Sequence, residues 1–215
     1  MKNPHQGQPV LRAGAALAQA HAAMIMMHGR GASAESILRL AEEFKQPDFA
    51  YLAPEAAGGT WYPNRFIAPA ASNEPWLSSA LAVVENLVAQ VVEAGIPAAQ
   101  VMLLGFSQGA CLALEYAARH ATRYGGVVGL SGGLIGAADE PRHDHGNFSG
   151  TPIFLGCSDV DFHIPQARVE QTAEMLKALG ANVTKRFYIN MEHTVNHDEV
   201  KFVRGMMAAL IESAV

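Results

Sequence analysis

Val101-Met-Leu-Leu-Gly105-Phe-Ser107-Gln-Gly109-Ala-Cys-Leu-Ala-Leu114 is the stretch on which the fold turns. Its first four residues form the apolar run expected of a strand buried on both faces. Gly105 to Gly109 then spell G-x-S-x-G, and Ala110, Cys111, Leu114 and Ala117 continue with helical spacing. The five-residue pattern alone would arise by accident in roughly one chain in twelve of this Gly and Ser content, so its flanks decide its meaning. Strand, sharp turn and helix in that order lift a serine clear of the carboxyl edge of a sheet. Side chains two positions either side of that serine would strike the neighbouring strand and helix, which explains both glycines. A helix N-terminus directly after the serine also favours negative charge developing beside it.

Outward from this stretch, β-like and helix-like segments alternate along the chain. Ala22 to Met27 is apolar throughout and predicts a buried strand. Ser33 is placed to cap a helix whose apolar face is Ile37, Leu40, Ala41 and Phe44. A strand is expected over 49–52, closed by Pro54, followed by an irregular loop over 55–73 that carries Trp61, Tyr62, Pro63 and Phe66. Leu77, Leu81, Val84, Val88 and Val91 mark a helix over 75–94, with Pro75 suited to its first turn and Gly95 to its stop. Beyond the opening stretch come a strand over 126–130, a loop with His143, Asp144 and His145, and a strand over 152–156. A helix from Pro165 towards Gly180, a strand over 183–189 and a last helix bearing Val200, Val203, Met207, Leu210 and Ile211 complete the chain. This alternation predicts a single α/β domain over 1–215, with a mostly parallel sheet and helices on both faces.

Composition narrows the function classes. The chain has 215 residues, half of them hydrophobic and 16% charged, with a net charge of −5. Its basic residues are scattered, so neither nucleic acid nor an anionic membrane is an expected partner. Ala13 to Met27 lacks Asp, Glu, Lys and Arg and imitates a signal-peptide core, but Gln19 and His21 interrupt it. No run approaches the ~20 apolar residues of a membrane span. The two cysteines, Cys111 and Cys157, each lie in an apolar run and read as buried reduced thiols, which fits a cytoplasmic protein.

A serine hydroxyl becomes a competent nucleophile when a base takes its proton and an acid orients the base. On this kind of scaffold the three follow in the chain order Ser, Asp or Glu, His. His193 lies just past the last expected strand, where a loop faces the same crevice as Ser107. The loop after strand 152–156 supplies both Asp159 and Asp161, and spacing does not choose between them. An oxyanion is expected to meet the main-chain N–H of Gln108 and, from the glycine-bearing loop His28-Gly-Arg30-Gly31, that of Arg30. Trp61, Phe66, Leu134, Ile135 and Phe162 are expected in loops facing an apolar pocket, and the Arg30 side chain in solvent.

Three rival readings are weaker. His193 and His197 have the spacing of a helical metal pair, and His143 and His145 form another. A zinc protease motif, however, needs Glu after the first His where Thr194 stands, and His143 and His145 read as solvated loop residues. Cys111 lies one helical turn past the elbow tip, where a thiol packs against the sheet instead of serving as nucleophile. A non-catalytic binding module would lack one of the three catalytic residues, and none is missing.

Taken together, His28-Gly-Arg-Gly31, Trp61-Tyr-Pro63 with Arg65-Phe66, Gly105-Phe-Ser-Gln-Gly109, Leu130-Ser-Gly-Gly133, Gly156 through Asp161 to Ile164-Pro165, and Met191-Glu-His193-Thr form a specific set. In this order the chain resembles the phospholipase/carboxylesterase family of small α/β-hydrolases, which includes acyl-protein thioesterases. The resemblance implies an α/β-hydrolase fold without a large cap, no cofactor and no metal. It implies a small-molecule ester or thioester substrate, and leaves a homodimer open. Its aspartate stands three residues before a Val/Ile-Pro pair, which implies Asp161 as the acid, with Asp159 as runner-up. One departure is Glu192, where the family often has glycine before the histidine; it is placed to rim the pocket or to act on the base.

Overall fold

The computed structural model describes residues 3–142 and 144–212, and His143 lies outside them. Seven strands form one sheet: β1 (Val10–Gly14), β2 (Ala22–Met27), β3 (Phe49–Pro54), β4 (Val101–Phe106), β5 (Gly126–Leu130), β6 (Pro152–Ser158) and β7 (Asn182–Tyr188). They lie in the order β1-β3-β2-β4-β5-β6-β7, all pairings being parallel except β1 with β3. Among the described residues five α-helices accompany them: α1 (Ala34–Phe44), α2 (Trp76–Glu93), α3 (Gln108–Arg119), α4 (Gln166–Ala178) and α5 (His197–Glu212).

The period of two along each strand divides the core. Ala23, Ile25 and Met27 of β2, with Val101 and Leu103 of β4, pack on the face covered by α2, α3 and α4. Ala22, Met24 and Met26, with Met102 and Leu104, pack on the opposite face beneath α1 and α5. Because both faces are covered, the central strands are apolar at every position. Ser33 caps α1 as expected, its hydroxyl accepting the Ser36 N–H while Ser36 Oγ accepts the Ser33 N–H.

Strand order also explains where the site lies. From β2 the chain moves through α1 on one face to β3; from β3 it returns through α2 on the other face and passes over to β4. Right-handed crossovers in opposite directions place their helices on opposite faces. The loops leaving the carboxyl ends of β2 and β4 therefore part company, and a crevice opens between them. Those loops carry Arg30 and Ser107.

The one strand absent from the sequence expectation is β1, an edge strand with a half-exposed pattern and Arg12 at its centre. Its pairing with β3 and the turn at Gly14 (φ 73°) split the Ala13–Met27 stretch into strand, turn and strand. The elbow glycines are sterically required. A Cβ on Gly105 would lie 2.1 Å from the Gly109 carbonyl oxygen, and one on Gly109 would lie 2.1 Å from that of Met27. Backbone on backbone leaves nothing flexible to yield. Gly109→Ala is therefore expected to cost on the order of 3 kcal/mol, lowering Tm by roughly 6–12 °C in a thermal melt.

Candidate active site

Ser107 sits between β4 and α3 with φ 55° and ψ −119°, a conformation disfavoured for any residue with a Cβ. Its N–H donates to the Leu130 carbonyl at 2.9 Å, and its carbonyl accepts the Cys111 N–H at 3.1 Å. The turn is thereby tied both to the neighbouring strand and to its own helix, which holds the strained backbone in place.

His193 lies in the loop after β7 and Asp161 in the loop after β6. His193 Nε2 is 2.8 Å from Ser107 Oγ, and its Nδ1 is 2.6 Å from Asp161 Oδ2. The Asp161 side chain is fully buried, and its Oδ1 accepts the backbone N–H groups of His163 (2.9 Å) and Ile164 (3.1 Å). Asp159 faces elsewhere: its Oδ1 accepts the Asn190 N–H at 2.8 Å and so staples the loop that carries His193. Glu192 is exposed and does not line the cleft.

The cleft beside Ser107 measures ≈390 Å³ and is lined by Phe66, Phe106, Ile164 and Cys111 together with polar rim residues. Gly29 borders the serine, since a Cβ there would lie 3.4 Å from Ser107 Cβ. Gln108 opens α3, so its N–H precedes the first intrahelical bond and is free for a ligand. The Arg30 guanidinium is not simply solvated as expected: it donates to the carbonyls of Tyr62 (2.8 Å), Asn64 (2.9 Å) and Pro63 (3.0 Å).

Four residues expected at the pocket lie elsewhere. Trp61 is fully buried, and its indole N–H donates to the His28 carbonyl at 2.9 Å. Leu134 is buried beside α4, its N–H bound to Thr172 Oγ1, and the neighbouring Ile135 is held likewise by Glu115. Phe162 is 78% exposed, against the ring of His163. Apolar character in a loop does not reveal which way a side chain turns, so sequence could not separate these from Phe66.

Side-chain roles that sequence reasoning missed hold the loop over 55–66 in place. The Gln108 side chain accepts the Trp61 N–H (2.9 Å) and donates to the Tyr62 carbonyl (2.7 Å). His5 accepts the Ala57 N–H at 3.1 Å and donates to the Trp61 carbonyl at 2.9 Å, and burial lowers its pKa. His28, also fully buried, accepts the Ala56 N–H at 3.1 Å. A histidine with an apolar surrounding was the available signal for His28; nothing marked His5.

Among the described residues no three His, Cys, Asp or Glu side chains gather in a metal-binding arrangement. α5 begins at His197, so His193 precedes the helix and the two do not share its face. His145 is exposed, whereas the expectation for His143 falls outside the described residues. Burial pushes the thiols of Cys111 and Cys157 up to about 12, so neither is a ready thiolate.

The whole chain bears comparison with proteins of known kind. The phospholipase/carboxylesterase family model matches residues 15–211. The chain belongs to that family, and with it to the ester hydrolases. It is 32% identical over 216 residues to acyl-protein thioesterase 1 of Saccharomyces cerevisiae, covering 91% of this chain and 89% of that one. A shorter match, to acyl-protein thioesterase 1 of Gibberella zeae, is 30% identical over 125 residues and takes in about half of that protein, 53%. The crystal structure of a phospholipase/carboxylesterase from Dyadobacter fermentans superposes with a TM-score of 0.90 at 38% identity, covering 94% of this chain and 97% of that one. The fold is thus that of the α/β-hydrolases, and among the described residues no large cap interrupts it. No helix among the described residues is long and apolar enough to cross a membrane.

Below the His193 loop, Glu199 of α5 is fully buried. Its Oε2 accepts the Asn196 N–H at 2.9 Å, while Oε1 has no hydrogen-bond partner among the described residues and occupies the space a Cβ on Gly156 would need. Desolvation pushes this carboxyl from its ordinary 4.5 up to about 7. The folded protein holds the proton where the unfolded chain has released it, so this stabilisation is full below about 4.5 and is lost as pH rises towards 7. Glu199→Gln, neutral at every pH, should gain on the order of 1–3 kcal/mol over the natural protein between pH 5 and pH 8 in urea unfolding. A difference independent of pH would contradict the raised carboxyl.

Proposed function

We propose that the protein is a serine hydrolase in which Ser107, His193 and Asp161 form a catalytic triad that cleaves carboxylic esters or thioesters through an acyl-enzyme. The observation that carries the reading is the unbroken line of contacts, 2.8 Å from Ser107 Oγ to His193 Nε2 and 2.6 Å from His193 Nδ1 to Asp161. Asp161, acceptor on both oxygens, holds the proton of His193 on Nδ1 and leaves Nε2 free to accept. As Ser107 Oγ bonds to the acyl carbon, His193 takes the hydroxyl proton; it returns that proton to the departing alkoxide or thiolate. Water then attacks the acyl-serine by the same route, releasing the acid and restoring Ser107.

The charge that develops on the carbonyl oxygen meets the main-chain N–H groups of Arg30 and Gln108. Gln108 also clamps the 60–62 loop through its side chain, so donor and cleft wall are held by one residue. Phe66, Phe106, Ile164 and Cys111 suit an apolar acyl or alcohol group. At ≈390 Å³ the cleft lies near the lower end of ligand sites, which run from about 300 to 1,000 Å³, and this supports a short or medium acyl chain. The buried, unpaired Cys111 and Cys157 support a reducing, cytoplasmic setting.

Ser107→Ala should lower p-nitrophenyl acetate turnover by about 10³–10⁶-fold and abolish labelling by a fluorophosphonate; retention of either would refute the nucleophile. Asp161→Asn should be far more damaging than Asp159→Asn, and the reverse order would exchange their roles. Across p-nitrophenyl acetate, butyrate, octanoate and palmitate, kcat/KM is expected to peak before octanoate and fall at palmitate, measured below the micelle concentration of each ester.

A further inference from the structure

The ionisable side chains that line the cleft are Arg30, Arg65, His163 and His193, with Tyr62 and Cys111, and no carboxylate is among them. In a chain of net charge −5 this is a local reversal of sign. The nearby acids are turned away or already engaged. Glu55 accepts the Ala34 N–H at 2.8 Å, Asp159 holds Asn190, Asp161 lies buried behind His193, and Glu192 stands outside the lining. The two arginines are not equivalent. Arg30 is occupied by three loop carbonyls, whereas the exposed Arg65 guanidinium makes no hydrogen bond or ion pair with any described residue. His163 lines the same cleft and is also exposed, its backbone N–H fixed on Asp161 and its ring centroid 5.0 Å from that of His193.

We propose that Arg65 and His163 form an anion-recognition point at the mouth of the cleft, so that the substrate is an ester or thioester bearing a carboxylate or phosphate near its scissile bond. The inference rests on the Ser107 reading for its chemistry and adds the substrate class. A guanidinium fork with no internal partner matches the geometry of either anion, and an imidazole in the same cleft lining supplies a further donor. The N-terminus of α3, whose Gln108 lines the same cleft, adds a positive field there. Cationic walls around a small cleft also raise the local concentration of an anionic substrate.

Paired esters separate the possibilities. Mono-p-nitrophenyl adipate against p-nitrophenyl hexanoate places a carboxylate on the acyl side. On the alcohol side, 4-acetoxybenzoate against its methyl ester tests a carboxylate, and 4-acetoxyphenyl phosphate against phenyl acetate tests a phosphate. The quantity read is the ratio of kcat/KM for the charged over the neutral member. In at least one pair, Arg65→Gln should lower this ratio about five- to tenfold, mainly through KM, with Arg65→Glu lowering it further. His163→Gln should lower the same ratio, and added KCl should reduce it in the natural protein because exposed charges are screened. Ratios unchanged in all three pairs for both Arg65→Gln and His163→Gln would overturn the inference. Undiminished turnover by Ser107→Ala would instead overturn the catalytic reading beneath it.

Discussion

The close approach of α3 to β2 and β4 at the elbow is the constraint on which the rest depends. With no room for a Cβ at Gly105 or Gly109, the helix can start directly against the strands, and Ser107 is left on a turn with positive φ. Such a conformation costs about 1–3 kcal/mol and persists because surrounding bonds over-determine it. Here those bonds run to β5 and to the first turn of α3. The strain places a hydroxyl at the crest of the sheet and a helix N-terminus directly behind it.

Around the elbow, polar groups that have left water act mainly as fasteners. Gln108, His28 and His5 are each buried, and each finds backbone partners in the 55–66 loop. Trp61 completes this hub through its indole N–H. An unpaired buried polar group is costly, so these residues permit few alternative loop conformations. The loop so fixed presents Phe66 to the cleft and supplies the carbonyls that hold Arg30. The cleft wall and the proposed oxyanion donor are therefore parts of one hydrogen-bonded unit.

A second unit serves the opposite wall. Asp159 fastens the start of the loop bearing His193, and the reciprocal bonds between Asn196 and Glu199 fasten its end to α5. Asp161 is itself held by the N–H groups of its own turn. His193 thus hangs between two anchored ends, which keeps its ring in register with Ser107 despite lying in a loop.

Much of this was legible in the residues themselves. Apolar runs separated by amphipathic helices determined the parallel α/β layering, since only strands covered on both faces tolerate such runs. The elbow was legible because its glycines answer a purely local steric demand, and His193 because its place after the last strand follows from topology. The edge strand β1 was not, as a half-exposed strand with a central arginine carries little periodic signal. Nor did residue type separate Phe66, which lines the cleft, from Trp61, buried beneath it, or Phe162, turned to solvent. Which side chain reaches which partner across 30 to 90 residues of chain was decided only by tertiary packing, because those contacts depend on loop direction and on the satisfaction of buried polar groups, neither of which is written in local sequence.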